Sequence, residues 1–119
     1  MQSYKDLIVW QKNIECVALI YSLTERFPKT EQFGLTSQMR RAAVSIPSNL
    51  AEGYARKHRA EYLQFIRIAY GSGAELETQL ILTKKLGFAQ DKNLASVVSL
   101  LDEIMRMLNK LSSSLVAKP

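Results

Sequence analysis

The chain has 119 residues, 47% of them hydrophobic and 23% charged, which suffices for one ordinary core and not for two, so residues 1–119 read as a single domain. One cysteine excludes a disulfide framework, and the longest apolar run, Cys16 to Tyr21, is far short of the roughly 18 residues a membrane span needs. A net charge of +5 points to polyanionic partners, and a start without a basic segment leading into an apolar one sets the expectation of a cytoplasmic protein with no membrane partner.

Apolar spacing and punctuation predict four long helices and no alternating strand. The first begins near Ser3, whose hydroxyl can accept from the amide near Asp6, and runs to about Arg26, where Phe27-Pro28 ends it. Its expected buried stripe is Leu7, Trp10, Ile14, Val17 and Tyr21. Cys16 falls in an apolar run and reads as a buried, inert thiol. The second helix takes Thr30 as N-cap, carries the seam Leu35, Met39, Ala42, Ile46 and Leu50, and ends around Gly53 to Arg56. Pro47 deletes one backbone hydrogen bond and meets the carbonyl of Ala43, so a kink without a break is expected. Extending that seam also reaches Asn49, expected to be buried and to fix register or oligomer state. Glu52 and Arg56 are ordered for an i, i+4 pair.

The third helix is predicted from Arg59 to Leu86, with Gly87 as its C-cap. Its small-residue patch, Ala69, Gly71, Ser72, Gly73 and Ala74, is expected to admit the backbone around Pro47. Asp91 caps the fourth, in which Leu94, Val97, Leu101, Ile104, Leu108, Leu111 and Leu115 repeat at three-four spacing. Short breaks favour antiparallel neighbours, hence an all-α, up-down-up-down four-helix bundle.

Nothing in the chain composes a catalytic centre. His58 is the one neutral-pH acid or base, and it lies in the basic connection Arg56-Lys57-His58-Arg59. One histidine and one cysteine make no zinc-like cluster, and Gly71 and Gly73 lack the lysine and hydroxyl of a P-loop, so no enzyme, metal or cofactor is expected. Cys16 to Tyr21 wraps the first helix and Leu80, Ile81 and Leu82 exceed one stripe, so self-association is expected.

Between Arg40 and Arg67, six Lys or Arg face two carboxylates, which gives +4 of the net charge. This suggests an adaptor binding RNA or DNA through Arg56, Lys57 and Arg59. Arg40 and Arg41 are weaker candidates, better suited to internal or intersubunit hydrogen bonds. Ser45, Asn49 and Glu52 are assigned to a structural polar network or an oligomer interface. The alternative is a structural or protein-interaction module with no nucleic-acid role.

An ordered set of residues runs along nearly the whole chain: Asp6-Leu7 with Trp10-Gln11, Phe27-Pro28, Glu31 with Phe33-Gly34-Leu35, and the unbroken stretch from Gln38 to Pro47. It continues through Asn49-Leu50-Ala51-Glu52-Gly53, Arg56, Glu61-Tyr62, Phe65, Ile68-Ala69, Gly71-Ser72 and Glu75-Leu76. In these residues the chain resembles the small four-helix-bundle proteins encoded by intervening sequences in bacterial large-subunit ribosomal RNA genes. The resemblance implies a bundle commonly assembled into a ring-like pentamer. It also implies kinship with the accessory protein of diversity-generating retroelements, a basic pentameric barrel that works with a reverse transcriptase and nucleic acid. A partner protein such as a reverse transcriptase is therefore among the expectations. Two departures fall at the second connection: Ala55 stands where relatives usually have glycine, and His58 where a helix-capping serine or threonine is usual.

Overall fold

The computed structural model describes residues 3–116, and folds them into four helices: α1 (Ile8–Thr24), α2 (Leu35–Ala55), α3 (Arg59–Lys85) and α4 (Asp91–Val116). Short 3-10 turns, Tyr4–Asp6 and Lys29–Glu31, lead into α1 and α2, and no strand occurs among the described residues. Each helix packs on its neighbours in chain order and α4 closes back on α1, so the α1–α2 side lies across the bundle from the α3–α4 side.

The seams of α2 and α4 make most of the core. Met39, Ile46 and Leu50 from α2 and Leu101, Ile104 and Leu108 from α4 are all under 2% exposed. Ile20, Ile66 and Leu76 complete it from α1 and α3. Beyond these, Leu111 and Leu115 are only half-buried and pack against the edge of the core. α2 continues through Pro47 without interruption.

Helix α1 departs from its expected stripe. Val9, Asn13, Cys16, Ile20 and Leu23 face the core, whereas Ile14 and Tyr21 are exposed and Trp10 and Val17 half-buried. Asn13 hides the true stripe because it is polar yet buried: its Nδ2 donates to the Val9 carbonyl at 2.9 Å, while its Oδ1 has no hydrogen-bond partner among the described residues. Thr24 does likewise, donating to the Ile20 carbonyl at 2.7 Å. α1 thus carries two apolar stripes, one inward and one outward.

Helix ends also differ in detail. Ser3 accepts from the Lys5 amide and Asp6 from the Ser3 amide, but this box caps the 3-10 turn, and α1 proper starts at Ile8. Thr30 is not the cap of α2, since it lies inside a 3-10 turn. The carboxylate of Glu31 instead accepts from the Leu35 amide at 3.1 Å. Asp91 sits in the first turn of α4 and pairs with Lys84 at 3.1 Å. The end of α3 matches expectation: Gly87 takes φ +75°, its amide bonds the Lys84 carbonyl and the Phe88 amide bonds that of Thr83.

The small residues of α3 do not serve one neighbour, because positions two apart in a helix point to different sides. A methyl group on Gly73 would collide with the Met105 sulfur on α4, while one on Gly71 meets nothing within 4 Å. The close approach of α2 to α3 is instead at Gly53, where a methyl would lie 2.6 Å from Phe65 Cβ.

Candidate nucleic-acid interface

The basic connection forms a tight corner between α2 and α3. Helix α2 ends at Ala55, and Lys57 then turns the chain with φ +54°, a left-handed conformation uncommon for a residue with a side chain. Its amide bonds the Tyr54 carbonyl at 3.2 Å. His58 is extended and starts α3 through its carbonyl, which accepts from the Tyr62 amide at 2.9 Å, without a side-chain cap. Ala55 therefore remains helical, and the left-handed residue of the corner is Lys57.

Arg56 is held in place at this corner. Its guanidinium reaches Glu52 at 3.0 Å and Glu61 at 3.1 Å and lies 5.2 Å from the centre of the Phe65 ring. The expected Glu52–Arg56 pair thus gains a second carboxylate from α3. The hydrogen bond that Arg56 donates to Glu52 is the largest influence holding the guanidinium proton above its ordinary affinity; desolvation, the next largest, opposes it, and the charges of Glu52 and Glu61 add to the hold. Beneath, Tyr54 and Tyr62 meet edge to face at 5.7 Å, and burial, with the Tyr54 charge second, pushes the Tyr62 phenol up.

Lys57 and Arg59 flank His58 and are exposed, with no ion-pair partner among the described residues. His58 Nδ1 stands 3.8 Å from Glu61. The corner therefore presents two unneutralised cations beside an arginine already bound to two carboxylates.

Arg40 and Arg41 lie elsewhere. Arg41 is about 24 Å up α2 from Lys57, taking 1.5 Å per residue. Arg40 clamps the end of α1: Nε donates to Thr24 Oγ1 at 2.9 Å, Nη2 to the Tyr21 carbonyl at 3.4 Å, and the guanidinium sits 4.4 Å over the Tyr21 ring. A cation there also meets the negative end of the α1 dipole. Nothing in the sequence flagged Thr24 as its partner, although a threonine in the last turn of α1 is the available signal. Arg41 is exposed and unpaired among the described residues.

Ser45, Asn49 and Glu52 form two networks rather than one. Asn49 is half-buried, at the edge of the seam, since Leu50 takes the buried position. Its Nδ2 donates to the Ser45 carbonyl at 2.8 Å and to Ser45 Oγ at 2.9 Å. Ser45 Oγ in turn shares a 2.9 Å hydrogen bond with Ser72 Oγ, tying α2 to α3. Glu52 belongs to the corner with Arg56.

Burial, with Glu15 second, raises the Cys16 thiol from 9.0 to about 11. No group of three His, Cys, Asp or Glu side chains able to hold a metal occurs among the described residues, and no described helix is long and apolar enough to cross a membrane.

Residues 5–110 match the family model of the 23S rRNA-intervening sequence protein. The crystal structure of a protein with unknown function from the S23 ribosomal protein family of Bacteroides thetaiotaomicron shares the fold, with TM-score 0.80 and 21% identity over 89% of this chain and 96% of that one. No curated protein matches the sequence.

Proposed function

The chain belongs to the 23S rRNA-intervening sequence protein family, and on that premise we propose that it is a non-enzymatic, self-associating bundle that holds nucleic acid by its phosphates at the α2–α3 corner. The observation that carries this reading is the contrast within the basic stretch. Arg40 and Arg56 are held by their own chain, while Lys57 and Arg59 face solvent with no carboxylate to neutralise them. A phosphate backbone is the ligand such cations suit, and contacts of this kind position a nucleic acid without reading its sequence. Exposed Ile81 and Leu82, at 68% and 43%, support the self-association, which would repeat the corner around an assembly such as a pentamer. The reading places the protein in the cytoplasm with its nucleic acid.

The test is a charge reversal. Lys57→Glu with Arg59→Glu should abolish binding to RNA or DNA at about 50 mM salt while leaving the oligomeric mass unchanged. Wild-type protein that binds neither at that salt would refute the nucleic-acid role.

A further inference from the structure

One aromatic ring takes no part in the core. Phe33 is 90% exposed, the most of any large hydrophobic side chain described. The turn that carries it is nevertheless well bonded. The Gly34 amide donates to the Glu31 carbonyl at 3.0 Å, the Leu35 amide to the Glu31 carboxylate at 3.1 Å, and the Gln38 amide to the Gly34 carbonyl at 3.0 Å. Phe33 is thus presented at the start of α2 by a backbone fixed on both sides, which lowers the ordering cost of any contact it makes.

The ring borders a groove of about 670 Å³, within the range that holds a small ligand or one unit of a larger one. Arg40 and Arg41 line this groove, and among the described residues no carboxylate does. Glu31, the nearest along the chain to Phe33, is engaged with the Leu35 amide. Arg40 lies 4.4 Å over the Tyr21 ring, and its hydrogen bonds go to a hydroxyl and a carbonyl, so its charge is fixed in place without being neutralised. Arg41 is exposed and has no ion-pair partner among the described residues. Gln32 and Ser37 add an amide and a hydroxyl to the same groove.

We infer that this groove is a subsite for single-stranded nucleic acid, in which an unpaired base stacks on Phe33 and an adjoining phosphate is taken by Arg41. A base brings a flat face for the ring and polar edges for Gln32 and Ser37, and its phosphate meets two cations that no carboxylate screens. An apolar protein partner would cover the ring but strand Arg41 away from water, and an acidic one would pair with the arginines but leave the ring unused. A duplex cannot use the ring, because its bases are already stacked on one another. The subsite rests on the nucleic-acid reading above and adds a selectivity that the corner lacks, since phosphates are offered by single strands and duplexes alike. A strand of about 20 nucleotides, at about 3.4 Å each even when stacked, outreaches the 48 Å length of the bundle and so reaches both sites.

Fluorescence anisotropy of a labelled RNA of about 20 nucleotides, alone and as its duplex, tests the subsite. Phe33→Leu keeps an apolar side chain and removes the stacking face; the position is exposed, so the variant should retain the wild-type circular dichroism and melting. It should weaken single-strand binding about 5- to 100-fold, as expected for one lost stack, and leave duplex binding within about twofold of wild type. Stacking releases no counterion, so the slope of log K against log salt should not change in Phe33→Leu, whereas Arg41→Gln should lower the single-strand slope by about 0.7. Phe33→Trp should retain single-strand affinity, and its fluorescence, above that of Trp10 in the wild type, should be quenched by the single strand and not by the duplex. Unchanged single-strand affinity in Phe33→Leu, or an equal loss on the duplex, would overturn the subsite and leave the corner reading standing. Wild-type protein that binds neither form would overturn the nucleic-acid reading itself, and the subsite with it.

Discussion

One substitution made at two glycines should move stability in opposite directions. Gly71 is an exposed interior residue of α3 whose added methyl would meet nothing within 4 Å, so Gly71→Ala should gain about 1 kcal/mol, the usual helical preference for alanine. Gly53 has the same intrinsic preference, but its methyl would lie 2.6 Å from Phe65 Cβ and 3.3 Å from the Tyr62 ring. Those atoms belong to the stem of one side chain and the ring of another, so the methyl can be accommodated only by parting α2 from α3. Overpacking of this kind costs about 1–3 kcal/mol, which exceeds the propensity gain and leaves Gly53→Ala destabilised by about 1 kcal/mol. Gly73→Ala should fall between them, because the atom it strikes is the sulfur of a flexible methionine. Melting followed by circular dichroism should place the Gly71 variant about 3–5 °C above wild type and the Gly53 variant a similar amount below it. Equal melting temperatures, or a Gly53 variant above the Gly71 one, would refute the packing argument.

Arg40→Met should lose about 1–3 kcal/mol in denaturant unfolding, since it strips the clamp on Thr24 and the Tyr21 carbonyl, while Arg41→Met should stay within about 0.5 kcal/mol of wild type in the monomer state. Cys16 should resist thiol reagents at pH 8 in the native protein and react fully once unfolded. The same thiol sets a pH dependence. Its folded pKa of about 11 exceeds the unfolded 9.0, so the folded state holds the proton longer, and its stabilising effect, complete below pH 9, is lost as the pH rises to 11. The loss should approach about 2–3 kcal/mol, with the raised Tyr62 phenol adding in the same direction above pH 10. Cys16→Ala should flatten the part of the curve that begins near pH 9; an unchanged curve would contradict the assignment.

How much of this was legible depended on whether each residue's neighbours lay along the chain or across it. The seams of α2 and α4 could be read because every buried position from Leu94 to Leu108, and every one from Leu35 to Leu50 but Thr36, is apolar. The C-cap at Gly87 was legible for the same local reason. In α1 the pattern misled, because Asn13 and Thr24 are buried polar residues that each donate a hydrogen bond to a carbonyl one turn back, while Ile14 and Tyr21 are apolar residues that face out. At the corner, the Glu52–Arg56 pair follows from spacing, but the Glu61 contact needs α3 folded back on α2. The Ser45–Ser72 link and the Arg40 clamp are tertiary contacts between side chains far apart in sequence, invisible to any helical period. The left-handed turn also fell on Lys57, a residue type that gives no signal for it.

The claim that the α2–α3 corner grips phosphates is tested most directly by the salt dependence of binding to a labelled RNA, measured by fluorescence anisotropy for wild type and for Lys57→Ala with Arg59→Ala. Each neutralised phosphate contributes about 0.7 to 0.9 to the slope of log K against log salt. The double variant should therefore lose at least about 1.4 from that slope, and more if several corners of an assembly share one strand. An identical slope for the two proteins would contradict the account, because it would mean that these two cations never displace a counterion from the nucleic acid.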